Sequence, residues 1–177
     1  MSPWRLFGAL VAFYSGAVLW IGALVTFGTS VAAVPFEVLS RDSAGMVNRL
    51  ILARLHVLEV VGAILLGMGL WMVNVRIRNW KWWIPPVGFV IMVTLFGVYA
   101  GLLEPIMNGI ARSVSFDNPA PETAAAIARF EGYHRLYSLL AAVTALLGVA
   151  VFVWQTWLLV RLFHGRESFQ SPSSERS

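Results

Sequence analysis

The 177-residue chain has no cysteine, and only 12% of its residues are charged. The missing thiols exclude disulfides, thiolate metal sites, cysteine nucleophiles and S-palmitoylation. The shortage of charge is more telling, because a soluble globular domain carries about 25% Asp, Glu, Lys and Arg. Half that density cannot cover a water-facing surface of this size. The opposite extreme, intrinsic disorder, is excluded by 58% hydrophobic residues. Soluble-enzyme signatures are also lacking: the chain has no phosphate loop, nucleophile elbow, His-Glu-x-x-His helix or dinucleotide fingerprint. An enzyme is therefore unsupported by motif.

Long uncharged runs are what the sequence does have. Mean hydropathy is +0.73, and a membrane-spanning helix needs about 20 mostly apolar residues. Four stretches meet that length, giving expected spans at about 6–34, 44–75, 82–103 and 121–160. The first is about twice as long as a signal-peptide core, so it reads as a span. Short connections imply antiparallel neighbours. The expected fold is an all-α integral membrane protein, a four-transmembrane-helix up-down bundle over 1–163, with the lipid bilayer as its principal partner. Residues 164–177 read as a polar, disordered tail. Pro35 suits the end of the first helix, Asp42 or Ser43 its successor's cap, and Pro121 a first helical position.

Arg76, Arg78 and Lys81 crowd one short loop, and Arg5, Arg161 and Arg166 fall on the same side. The positive-inside rule then places both termini in the cytoplasm and the protein in the cell membrane. Trp80, Trp82 and Trp83 beside Lys81 read as an interfacial aromatic belt, with Trp4, Trp71, Trp154 and Trp157 at comparable levels. The net charge of +4 reports arginines near headgroups, not nucleic-acid binding. Close helix packing in lipid calls for small residues. Gly97-x-x-x-Gly101 is such a notch, as are Gly62, Gly67 and Gly69 on the second helix and Gly16 and Gly22 on the first.

Ionisable residues inside a span are costly and point to function. Arg54, His56 and Glu59 lie on the second helix, and Glu131, His134 and Arg135 on the fourth. His56-x-x-Glu59 and Glu131-x-x-His134 each place a carboxylate and an imidazole on one helical face. Both histidines lie at similar depth, on helices that sit diagonally, so they are expected to face each other across the core. Several chemistries fit that picture. Glu59 can pair with Arg135 and Glu131 with Arg54, purely to neutralise charge. His56, Glu59, Glu131 and His134 can ligate a transition metal, although the flanking arginines would repel a cation. His56 and His134 can ligate haem, with Arg54 or Arg135 holding a propionate. The same cluster can relay protons or bind an anion. A structural role as a subunit of a larger membrane complex, or in a homo-oligomer, also fits. Glu104 and Arg112 bracket the end of the third helix and are expected to pair. Tyr133, Tyr137, Tyr14 and Tyr99 lie within possible reach of the cluster.

The run Phe130-x-x-Tyr133-His134-x-Leu136-x-Ser138-Leu139 resembles the fourth-helix motif of the transmembrane protein 205-like family. Val34-Pro35-Phe36 at the exit of the first span, and Leu50 to Val57 around His56, are similar to the corresponding regions there. The resemblance covers about Ala9 to Leu158. It implies a four-helix membrane fold with His56 and His134 on motif positions, and a biochemical activity that is not known for the family.

Overall fold

The computed structural model describes residues 2–74 and 79–167. Four long helical rods carry almost all of it: α1, Pro3–Val38; α2, Arg41–Asn74; α3, Trp80–Ala111; and α4, Pro121–Leu162, whose helix continues to Glu167. No strand forms among the described residues. The chain is an all-α, four-helix up-down bundle of membrane-spanning length. In each span's most apolar window only 22–33% of residues are buried within the protein. The remaining apolar side chains face outward, so the medium that satisfies them is lipid.

The rods begin and end for local reasons. Pro3, Pro85 and Pro121 occupy first-turn positions, where a missing N–H costs nothing. Pro35 does not simply end α1. A bend at Ala32–Ala33 precedes it, and Pro35 opens a short final turn, Val34–Val38. The N-terminus of α2 is capped from a distance. Asp117, in the loop after α3, accepts the Arg41 N–H at 2.8 Å and the Asp42 N–H at 3.3 Å. Asp42 answers by accepting the Phe116 N–H (2.8 Å) and the Ser115 hydroxyl (2.7 Å). The expected caps, Asp42 and Ser43, are thus replaced by Asp117 and by Ser40, whose hydroxyl accepts the Ser43 N–H. A carboxylate at this end also suits the helix dipole.

The closest packing is α1 on α2 and α3 on α4, with α2–α3 and α1–α4 contacts closing the ring. Glycine makes the first seam possible. A Cβ on Gly16 would lie 2.3 Å from the Leu66 backbone nitrogen, and one on Gly69 would lie 2.5 Å from that of Phe13. Gly62 faces the Trp20 backbone and Gly67 the Phe89 ring. Gly22, Gly97 and Gly101 behave otherwise: nothing lies within 4 Å of a Cβ built on them. The expected Gly97-x-x-x-Gly101 notch therefore faces outward and packs no helix of this bundle. Phe13, Trp20, Leu66, Leu70, Met92 and Val151 fill the apolar core between the four rods.

Six tryptophans (Trp4, Trp71, Trp80, Trp83, Trp154 and Trp157) are exposed, and all lie at one end of the bundle. Amphipathic indoles at one level mark a membrane interface. Trp82, expected among them, is instead buried with Ala9, Val73 and Leu158. Each rod exceeds the span length of about 20 residues. Because the tryptophans sit near one terminus of every rod, the surplus length collects at the opposite, loop-capped end. Arg76, Arg78 and Val75 lie outside the described residues, as do 168–177 of the expected tail. Residues 164–167, assigned to that tail from sequence, continue the α4 helix.

Candidate functional site

One ionisable cluster is buried between the helices, near the loop-capped end. His56 and Glu59 come from α2, one turn apart on the inward face. Tyr99 and Glu104 come from α3, and Tyr137 from α4. Glu59 is fully buried. One of its carboxylate oxygens accepts the Tyr99 hydroxyl, and the other meets His56 Nδ1. His56 Nε2 lies 2.5 Å from Glu104 Oε2. Glu104 also accepts from Asn108 Nδ2 at 3.5 Å, and the Tyr137 hydroxyl stands 3.5 Å from His56 Nε2. Phe96, Tyr99 and Tyr137 ring the group with edge-on and tilted contacts. Trp20, wedged over Gly62, contacts Phe96 edge-on.

A break in helical register assembles the α3 half. Residues five apart on an α-helix point about 140° away from each other, so Tyr99 and Glu104 should not share a face. The turn Tyr99–Leu103 is instead a π turn, and the Glu104 N–H bonds back to the Tyr99 carbonyl. An i→i+5 turn inserts one residue and restores a common face. Pro105 gives it a cause, since a proline ring clashes with the carbonyl four residues earlier in a regular helix.

The cluster has one sealed end, with His56 and Glu104 about equally open. The Glu59 side chain is 0% exposed, His56 16% and Glu104 14%. Counting about 1.5 Å per residue from Trp71, Glu59 lies about 18 Å above the tryptophan level and His56 about 22 Å. Both fall within a hydrocarbon layer about 30 Å thick. A charge there needs a partner, and each ring nitrogen of His56 has a carboxylate.

The site differs from the sequence expectation. The structure brings together His56 and Glu59 but adds neither Glu131, His134, Arg54 nor Arg135. All four are exposed. His134 stacks on Phe130, one turn away, with ring centroids 6.0 Å apart. The α4 residue that meets His56 is Tyr137, because an expected depth says nothing of rotation about α4. The charge pairs Glu59–Arg135, Glu131–Arg54 and Glu104–Arg112 do not form; the ion pairs among the described residues are those of His56 with Glu59 and Glu104. Of the four tyrosines, Tyr99 and Tyr137 join the cluster, whereas Tyr14 packs on Phe13 and Phe152. A second buried polar contact had no sequence signal. The Asn74 and Gln155 amides bond reciprocally across the core, at 3.2 and 3.1 Å, near the tryptophan end.

Haem or metal ligation does not fit these donors. Bis-imidazole ligation needs His134 turned inward, and it is not. Both nitrogens of His56 are engaged, and no group of three or more His, Asp or Glu side chains converges on a metal position among the described residues.

Four apolar rods, an outward apolar surface and a tryptophan level define a polytopic integral membrane protein. Comparison with protein-family models, with curated proteins and with solved structures finds no match to the chain.

Proposed function

We propose that the protein handles protons within the membrane, with Glu104, His56, Glu59 and Tyr99 as the relay. The observation that carries this reading is the engagement of both His56 ring nitrogens by carboxylates on two different helices. A neutral imidazole has one donor and one acceptor nitrogen; an imidazolium has two donors. Two arrangements therefore satisfy the same three groups with the same protons: an imidazolium between two carboxylates, or a neutral imidazole beside one carboxylic acid. Passing between them moves one proton along one hydrogen bond. Glu104 is the partly exposed end of the chain and Glu59 the buried end, so the proton is taken up at the loop-capped end and carried inward. Imidazole is suited to this because its ordinary pKa lies near neutrality.

The same reading places the chain with the transmembrane protein 205-like family, on its Phe130–Leu139 motif and the segment around His56. It places both termini in the cytoplasm of a cell-membrane protein, on the basic residues at 76, 78 and 81.

Proteoliposomes holding a pH-sensitive dye in the lumen, with an imposed potassium diffusion potential, test the relay. Wild-type protein is expected to accelerate lumenal pH change over empty vesicles. His56→Ala and Glu59→Gln should remove most of that acceleration. Wild-type vesicles no faster than empty ones, or His56→Ala as fast as wild type, would overturn it. Association with a further membrane helix is a second reading, favoured by the outward Gly97 and Gly101. It predicts a multimer or a co-purifying subunit in mild detergent that Gly97→Leu disperses.

A further inference from the structure

Arg54 stands on the opposite side of the α2 balance from Glu59. It is exposed, and it has no hydrogen bond or ion pair among the described residues, because the carboxylates nearest in sequence are committed to His56 and Tyr99. A shallow apolar groove runs beside it on the outer face of α2, lined by Val47, Leu50, Ile51, Ala53 and Val57. Leu50 and Val57 are 67% and 59% exposed.

Depth and direction say what fills this groove. Arg54 is 17 residues before the interfacial Trp71, or about 26 Å at 1.5 Å per residue. That puts its Cα just inside the far edge of a hydrocarbon layer about 30 Å thick. Side chains on a helix lean toward its N-terminus. The N-terminus of α2 is at the loop-capped end, so the Arg54 stem runs up past Leu50 and Ile51 and delivers its guanidinium to the headgroup level. Snorkelling of this kind keeps the charge among polar groups while the methylenes stay in lipid. A planar fork of N–H donors at that level matches phosphate oxygens in a two-bond geometry.

We propose that Arg54 and this groove form a phospholipid site, with the phosphate on the guanidinium and one acyl chain along Val47, Leu50, Ile51 and Val57. The site favours a headgroup of net negative charge. In a zwitterionic lipid the phosphate already has its own ammonium, whereas an anionic one leaves its charge for Arg54.

The test is thermal unfolding of the purified full chain in detergent, titrated with phosphatidylglycerol or with phosphatidylcholine of the same acyl chains. A lipid bound by the native state raises the unfolding midpoint. Phosphatidylglycerol should raise the midpoint of the wild type by about 3 °C or more, and phosphatidylcholine by less than half as much. Arg54→Gln should remove the difference between the two lipids. Arg5→Gln, which loses the same charge at the tryptophan end, should keep it, and so should Arg54→Lys, in weakened form. Equal shifts from both lipids, a preference that survives Arg54→Gln, loss of it in Arg5→Gln, or the same shift from inorganic phosphate alone would each overturn the site. The measurement reads no proton flux, so it stands or falls separately from the relay.

Discussion

Gly16→Ala is the sharpest probe of the packing that holds the bundle. The added Cβ would meet the Leu66 nitrogen at 2.3 Å, the Gly62 oxygen at 2.7 Å and the Leu66 Cα at 2.8 Å. All three are backbone atoms of α2 and cannot rotate away. Ordinary contact begins near 3.4 Å, so α1 and α2 must part by roughly 1 Å along this seam. Parting them loosens Phe13, Ala17, Trp20, Leu66 and Leu70, all of them buried. Overpacking of this kind costs about 1–3 kcal/mol, and helices in lipid have little besides packing to offset it. Gly97→Ala makes the same chemical change where no atom lies within 4 Å. There the expected effect is a gain of up to about 1 kcal/mol from helix propensity. Unfolding by a denaturing detergent, followed by tryptophan fluorescence with Trp20 in the seam, should separate the two variants by about 1–4 kcal/mol, the sum of those terms. If Gly16→Ala unfolds with the wild type, or Gly97→Ala unfolds as early as Gly16→Ala, the close α1–α2 seam is wrong.

Other substitutions probe the polar contacts by the same unfolding assay. Glu59→Ala strands the Tyr99 hydroxyl and His56 Nδ1 inside the bundle and should cost about 3–5 kcal/mol, whereas Glu104→Gln at the partly exposed end should cost about 1 kcal/mol. Asn74→Leu leaves the Gln155 amide unpaired, so the double variant Asn74→Leu/Gln155→Leu should be the more stable of the two; a cycle over the pair should return a coupling of about 0.5–2 kcal/mol. Asp117→Ala removes the cap of α2 and should cost about 1 kcal/mol, with faster hydrogen exchange at the Arg41 and Asp42 amides. Deleting Leu102 together with Pro105→Ala should turn the π turn into an α turn and keep Tyr99 and Glu104 on one face, giving monodisperse protein. Deleting Val93, within the regular part of α3, should instead rotate the two halves of the helix by about 100° and abolish folding.

Part of this was legible in the sequence. Apolar runs of spanning length and short connections gave the bundle, because length and hydropathy alone decide whether a helix can cross lipid. Gly16, Gly62 and Gly69 were recognisable as packing positions, and His56 and Glu59 as neighbours, because one-turn spacing in a regular helix fixes a shared face. The rest depended on rotation. His134 is expected to face His56, but it is exposed beside Phe130, because spacing does not say which way α4 turns it. Gly97 and Gly101 had the spacing of a seam yet face outward, since small residues mark any possible approach and not the one used. Glu104 is expected to pair with Arg112 because the two bracket the end of the third helix, and a regular α-helical phase would keep it from the face of Tyr99. The π turn that reunites them lies just before Pro105, and nothing in residue spacing announces such a change of register. Asn74 and Gln155 are 81 positions apart and carry no mutual signal.

The polar contacts of the core fall at two levels, and their chemistry differs. Near the loop-capped end, Glu59–Tyr99 and His56–Glu104 join the α1–α2 pair to the α3–α4 pair through groups that exchange protons. Near the tryptophan end, Asn74–Gln155 makes the same connection with amides, which do not titrate at ordinary pH. Glu59 and Asn74 are 15 residues apart on α2, about 22 Å, and the core between them is filled by Trp20, Leu66, Leu70, Met92 and Phe13. Among the described residues buried across that depth, the polar groups are the Trp20 indole N–H and the Thr144 hydroxyl, which bonds the Leu140 carbonyl of its own helix, too few to carry a hydrogen-bonded path. A proton that reaches Glu59 therefore leaves toward the tryptophan end only if the two helix pairs part along the seam between them. Parting would break the amide pair while leaving the glycine-locked α1–α2 contact intact. Bridging Asn74→Cys and Gln155→Cys with a mercuric ion, which spans more than a disulfide, in a chain with no other cysteine, should thus stop flux, and excess thiol that strips the metal should restore it.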